Sequence, residues 1–307
     1  MIRYVVLSAV LAGLVVLAVV QGSNAGSSDD RSVSTALSAS ADNPEAKVAR
    51  AGLGGGTGLG APRPEVPVAV KTEEQNTVAK EGKPKANPAM GHLEGTVVLK
   101  GEPPTLDPFP GVPANNKDAK FCMNHVKDER LLVSKKGGIR NCVVTITEKT
   151  RFRKKPQRRV LVVDNVNCSF VPHISAMSVG SKVKVSSKDP VIHNAQGLLA
   201  MNFNSAITRD KPYEHPSTAR KPGMCLLRCS FHTWMNARVH ILPHEHFDVT
   251  DDDGGFRIMN IPPGTYEFEV RHEILAPYLV KKTVKKKLTI KKGETTKVTF
   301  ELEDPKL

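Results

Sequence analysis

From Leu93 onward the chain is a series of short runs in which apolar and polar residues alternate or β-branched residues cluster, each bounded by turn-forming residues. A period of two places alternate side chains on one face, so these runs predict strands half-buried against a core. The predicted strands are Leu93–Leu99, Leu131–Val133, Cys142–Thr147, Val160–Val163, Lys182–Ser186, Cys225–Cys229, Ala237–Leu242, Gly255–Met259, Tyr266–Arg271 and Lys297–Leu302. Lys136-Gly-Gly138, Asp251-Asp-Asp-Gly-Gly255, Pro262-Pro-Gly264 and Lys292-Gly293 mark turns between them. No convincing amphipathic helical period interrupts the series. The pattern specifies an all-β fold of the sandwich or barrel kind.

The first ninety residues follow other rules. Arg3 precedes an uncharged apolar run, Val5–Val20, and the small-x-small triplet Ser23-Asn24-Ala25 follows. This is the order of a secretory signal peptide, residues 1–25. Its apolar run rises only about 24 Å against a hydrocarbon core of about 30 Å, which favours cleavage over an anchor. The rest of the chain is therefore expected to be exported, to the periplasm or cell envelope, with membrane contact only if that segment stays uncleaved. Residues 26–90 are rich in Ala, Gly, Ser, Pro, Lys and Glu, and residues 5–108 contain no Phe, Tyr or Trp. They read as a disordered linker, and the glycine run Ala51–Gly60 lacks the Gly-Lys-Ser/Thr ending of a phosphate loop. The folded part, roughly residues 91–304, fits one large domain or two small ones; family resemblances of its motifs, given below, imply a division into an N-terminal β segment (91–159), a central domain (160–242) and a C-terminal β-sandwich (243–304), which the first segment would complete.

Charge narrows the partners. Lys+Arg 44 against Asp+Glu 31 gives +13 in 307 residues. Lys281–Lys292, with seven lysines between Val284, Leu288 and Ile290, reads as a solvated strand face able to steer an acidic partner. The basic run Arg151–Arg159 offers only Phe152 for stacking, so nucleic acid is not expected. There is no Gly-x-Ser-x-Gly elbow and no His-Glu-x-x-His, and an enzyme is not expected.

The chemistry is concentrated at Cys229-Ser-Phe-His232-Thr-Trp-Met235. A thiolate, an imidazole and a thioether at three-residue intervals are soft donors of the kind that suit copper, given a second histidine. Asp189-Pro-Val-Ile-His193-Asn194 supplies one. With 10 His, 8 Met and 5 Cys in 307 residues, chance produces this Cys-x-x-His-x-x-Met spacing about 0.004 times per chain. Zinc fits less well, because Met is a poor zinc ligand.

The Cys-x-x-His-x-x-Met loop together with His193-Asn194 resembles the cupredoxins, the small blue-copper electron carriers, and most closely their amicyanin-type members. The resemblance covers roughly 160–242 and implies a Greek-key sandwich. It also implies His193, Cys229 and His232 as equatorial copper ligands and Met235 as the axial one. The function implied is one-electron transfer with a redox partner protein. Copper sequestration or delivery, and a structural or glycan-binding envelope role, are the alternatives. A wider frame, Pro172-His173, Val179–Val185, His193-Asn194, Pro222-Gly-Met224 and Cys229-x-x-His-x-Trp-Met235, resembles an envelope-associated bacterial subgroup. This chain departs from it at Arg271-His272-Glu273, where Trp-His-Glu is usual, and at Cys142 and Cys225. Phe247–Tyr266 resembles the carboxypeptidase-regulatory-like, transthyretin-type sandwiches, whose opening Gly-x-Val strand corresponds to Gly95-Thr-Val97.

Five cysteines in an exported chain leave four beside Cys229. Cys225 shares a strand face with Leu227 and Cys229, and Cys142 shares one with Val144 and Ile146, whereas Cys122 and Cys168 sit among loop-like residues. Like environments favour Cys122–Cys168 and Cys142–Cys225 as bridges, although two buried free thiols satisfy the second pattern equally. Trp234 either shapes the solvent edge of the site or packs over it. His173 reads as a packing residue or an alternative ligand. His240, His244 and His246 read as exposed residues of a strand–turn segment, with a second metal site the lesser reading. Asp251–Asp253 reads as a hairpin turn, lacking the downstream Glu of a calcium loop.

Overall fold

The computed structural model describes residues 85–304 apart from 148, 149, 151, 153 and 278–282. The expected signal peptide and most of the expected linker lie outside the described residues. The described chain is all β. In order, β1 (Gly91–Leu99), the single-turn helix α1 (Ala119–Cys122) and β2 (Val143–Ile146) are followed by β3 (Val160–Val166), β4 (Ser169–Val171) and β5 (Ile174–Ser178). Then come β6 (Lys182–Ser187), β7 (His193–Leu199), β8 (Phe203–Ile207), β9 (Tyr213–Glu214), β10 (Gly223–Arg228) and β11 (Asn236–Leu242). The chain closes with β12 (Phe247–Val249), β13 (Gly255–Ile261), β14 (Gly264–Arg271), β15 (Val284–Ile290) and β16 (Thr295–Leu302).

These strands make four sheets. Two of them, ordered β5-β11-β10-β7-β8 and β4-β3-β6-β9, enclose one core containing Phe170, Val183, Val185, Leu227, Val239 and Ile241. The other two, β13-β1-β16 and β12-β2-β14-β15, enclose a second core built on Leu93, Ile146, Ile258, Phe268 and Phe300. β1 runs antiparallel to β13 and parallel to β16, and β2 pairs with both β12 and β14. The N-terminal strands are thus built into the C-terminal sandwich. The stretch β3–β11 leaves that sandwich after β2 and returns to it at β12.

Alternation explains each placement. In β6, Val183, Val185 and Ser187 are buried while Lys182, Lys184 and Ser186 lie at intermediate depth, as a strand with one inward face requires. All four residues of β2 are buried. Val144 and Ile146 enter the second core, whereas Val143, on the opposite face, packs with Ile174 and Leu242 and joins the two sandwiches. At the turn before β13, Gly254 has φ 77°, and a side chain there would run into the Val97 carbonyl.

Several elements differ from the sequence reading. Leu131–Val133 is not a strand, because Val133 makes only an isolated bridge to Ile139. β7 and β8 carry too little apolar alternation to be read locally; β7 is set by its pairing with β10, and β8 by its pairing with β7. Within the stretch expected to be linker, residues 85–90 are tied down. Asn87 N–H donates to Asn260 Oδ1 (2.8 Å), and Asn260 Nδ2 donates to the Lys85 carbonyl (3.0 Å).

Phe268 is fully buried in the second core, so Phe268→Ala is expected to destabilise that sandwich by about 3–5 kcal/mol in urea denaturation. Lys287→Ala, on the exposed part of β15, is expected to stay within about 0.5 kcal/mol. A Phe268→Ala loss as small as that of Lys287→Ala would contradict the two-core arrangement.

Candidate metal centre

His193 opens β7, and its imidazole is positioned from behind by the β6–β7 loop. Asp189 accepts the Asn167 N–H at 2.6 Å and the Cys168 N–H at 2.8 Å, and lies 2.8 Å from His193 Nε2. Cys229 follows β10, and the loop 229–235 closes on itself before β11. The Cys229 N–H donates to the Met235 carbonyl (3.3 Å), and the Met235 N–H donates to the His232 carbonyl (2.9 Å). Asn194 fastens the two segments together. Its N–H donates to Cys229 Sγ (3.3 Å), and its Oδ1 accepts the Ser230 N–H (2.8 Å).

The result is a convergence of three donors. His193 Nδ1 lies 3.0 Å from His232 Nδ1, and His232 Nδ1 lies 3.6 Å from Cys229 Sγ. The three donor atoms lie within 4.8 Å of one another, and all three residues are buried. Both Nε2 atoms face away, toward carboxylates: that of His193 toward Asp189 and that of His232 toward Asp118 Oδ2 at 3.0 Å.

The electrostatics match the geometry. Burial works to raise the Cys229 thiol, but hydrogen bonds from His193, His232 and the Asn194 and Phe231 N–H groups outweigh it and bring its pKa down to about 6. Burial works against the charged form of His193, yet Asp189 and Cys229 together hold its pKa above the usual value. Asp189 is held low despite its burial, by His193 and by the two backbone N–H groups it accepts.

Met235 is buried in the same core, and Trp234 packs over the site. The indole ring lies 5.0 Å from that of His232, and its Nε1–H donates to the Cys168 carbonyl (3.1 Å). Cys168 is also close to Asp189 and His193, but its sulfur is spent in a disulfide with Cys122. Cys142 and Cys225 are free thiols, which corrects the expected second bridge. Their inward faces belong to different cores, Cys142 to that of the C-terminal sandwich and Cys225 to that of β3–β11.

The remaining histidines are placed elsewhere. His173 Nδ1 lies 3.1 Å from the Asn236 carbonyl, and Nε2 lies 3.0 Å from Glu273, which also pairs with Arg238. His240, His244 and His246 are buried, not exposed, because this segment forms the junction between the sandwiches. His244 Nε2 donates to the Ile146 carbonyl (3.1 Å) and its Nδ1 accepts the His246 N–H (3.2 Å), which leaves it no lone pair for a metal. Phe152 covers both rings. Asp251 Oδ1 accepts the N–H groups of Asp253 and Gly255, a turn held by its own side chain.

No protein-family profile matches the chain, and no curated protein matches it. Solved structures do. A copper-containing nitrite reductase from Thermus scotoductus is similar over 32% of this chain at 20% identity and TM-score 0.25, and the chain spans about a quarter of its length, 25%. A purple cupredoxin from Nitrosopumilus maritimus aligns with 27% of this chain and 97% of its own, at 24% identity and TM-score 0.24. An oxidised amicyanin variant aligns with 26% of this chain and 79% of its own, at 18% identity and TM-score 0.23.

Sequence reasoning missed Asp189 and Asp118. Asp189 stood four residues before His193, a separation with no defined meaning in a loop. Asp118 is 114 residues from its partner and carried no local signal.

In the metal-free protein, ultraviolet thiolate absorbance is expected to rise with one midpoint at about 6, absent in Cys229→Ser. Cys225, raised by burial to about 11, stays protonated there. Because Cys229 ionises at lower pH when folded than when unfolded, its stabilising contribution is full above about 9. It is lost as pH falls through about 6. A sole midpoint near 9 would mean that the imidazoles do not act on the thiol.

Proposed function

We propose that this chain is an exported one-electron carrier that holds a single copper ion between His193, Cys229 and His232, with Met235 as a weak fourth donor. The observation that carries this reading is the convergence of two Nδ1 atoms and one low-pKa thiol on a buried point, with both Nε2 atoms already engaged elsewhere. Two imidazoles and a thiolate would fit copper in both of its common oxidation states, and the Met235 thioether would add a soft donor. Bound there, copper supplies a reversible one-electron couple.

The chain's own residues supply the rest. Each carboxylate accepts an Nε2–H and so leaves the Nδ1 lone pair for the metal, fixing tautomer and ring direction together. The closed 229–235 loop and the Asn194 bridge hold the thiolate in one place, so the same geometry serves both oxidation states and reorganisation stays small. Phe231 and Ile192, each next to a ligand in sequence, are exposed at 44% and 48% and offer apolar surface for a redox partner. The net charge of +13 favours an acidic one. A disulfide beside the site fits an oxidising compartment, in keeping with export.

The test is a visible spectrum of the purified protein with Cu(II), expected to contain an intense thiolate-to-copper band. Cys229→Ser is expected to abolish that band. Met235→Leu is expected to keep a colour and shift the reduction potential upward, since a thioether would be the weakest of the four donors. Full colour in the Cys229 variant would end the assignment.

A further inference from the structure

The segment 101–130 leaves β1, at the centre of a sheet in the C-terminal sandwich, and crosses to lie over the metal centre before returning to β2. Phe109, Val112, Phe121 and Val126 pack it against the other sandwich's core. At its middle, three successive residues engage the ligand loop. Asn116 Nδ2 donates to the Phe231 carbonyl (3.0 Å), Lys117 Nζ lies 5.8 Å from the Phe231 ring centre, and Asp118 Oδ2 meets His232 Nε2 at 3.0 Å. The Asp118 N–H donates to Asn116 Oδ1 (3.0 Å), which turns the chain so that all three contacts are made at once. One helical turn later the Cys122–Cys168 disulfide fixes the segment covalently. Cys168 is the residue whose N–H supports Asp189, behind His193, and whose carbonyl receives Trp234. A single bond therefore joins the support of one candidate ligand to the support of the other.

We propose that this segment is a latch that retains the metal, with Asp118 as the positioning residue for His232 and the Cys122–Cys168 disulfide as its clasp. The proposal rests on the copper reading above and adds to it how the ion is kept. His232 lies on a short loop between strands, so release requires its ring to swing outward. That motion would have to break the Asp118 contact and push past Asn116 and Lys117, all on a segment the disulfide holds down. A metal kept in this way suits a carrier that turns over electrons rather than one that hands on its ion.

Two measurements on the full chain test the latch. In the first, copper-loaded protein is reduced with ascorbate, and transfer of Cu(I) to bathocuproine disulfonate is timed. Asp118→Asn is expected to speed transfer about 10–100-fold, and the Cys122→Ser/Cys168→Ser pair is expected to do the same. Combining all three changes is expected to add little, because they disable one device. In the second, hydrogen exchange at the His232 ring carbon is followed in the metal-free chain. It is expected to be slow in the wild type and fast in either variant. Unchanged release and unchanged exchange in Asp118→Asn, or effects that multiply in the combined variant, would overturn the latch while a wild-type thiolate band kept the copper reading. A missing wild-type band with exchange still dependent on Asp118 would remove the copper reading and leave the latch.

Discussion

Two imidazoles and a thiol that aim their electron pairs at one buried point repel one another unless a proton or a cation sits between them. That constraint organises the centre. Burial alone drives the charged form of each group toward neutrality, yet Cys229 is lowered to about 6 and His193 is held above its usual value. The cost of this crowding is offset from outside, by carboxylates on the far nitrogens and backbone N–H groups on the carboxylate and the sulfur. Donor chemistry, tautomers and charge all point the same way.

The same quantity separates His193 from several buried histidines elsewhere. His240, His244 and His272 are pushed down to about 3, 4 and 4, chiefly by burial, so they are neutral at physiological pH. They pack the region where the two sandwiches meet, where Val143, Ile174 and Leu242 form a small apolar cluster of their own. His173 is lowered too, and the carboxylate it meets, Glu273, is shared with Arg238. A buried histidine beside a carboxylate thus does not by itself join the cluster of converging donors. The distinguishing feature is a second ring nitrogen that faces other donors across a short gap.

The architecture explains why the centre needs distant parts of the chain. The β3–β11 sandwich supplies the thiol, both imidazoles and Asp189, all on loops or strand ends around one core. The C-terminal sandwich supplies the segment bearing Asp118, which leaves β1 and returns to β2. That segment is continuous with the C-terminal sandwich but packs, through Phe109, Val112, Phe121 and Cys122, against the core of the β3–β11 sandwich, where Asp118 meets the buried His232.

By itself the sequence determined what is local. The period-two alternation in Leu93–Leu99, Lys182–Ser186 and Ala237–Leu242 specified strands, because a pleated backbone sorts side chains by parity. The Cys229–Met235 spacing singled out Cys229 and His232, and the loop does bring their donor atoms to 3.6 Å, because a turn closed by its own backbone hydrogen bonds keeps residues three apart close together. The loop-like settings of Cys122 and Cys168 matched their pairing. The identical logic failed for Cys142 and Cys225, since parity says that a side chain points inward but not into which of two cores. β7 and β8 were invisible for a related reason: their partners, not their composition, hold them in the sheet. Asp118 lies furthest from anything a sequence can announce. Its role depends on a contact spanning 114 residues, and only the folded chain brings a carboxylate from the segment between β1 and β2 to an imidazole on the loop between β10 and β11.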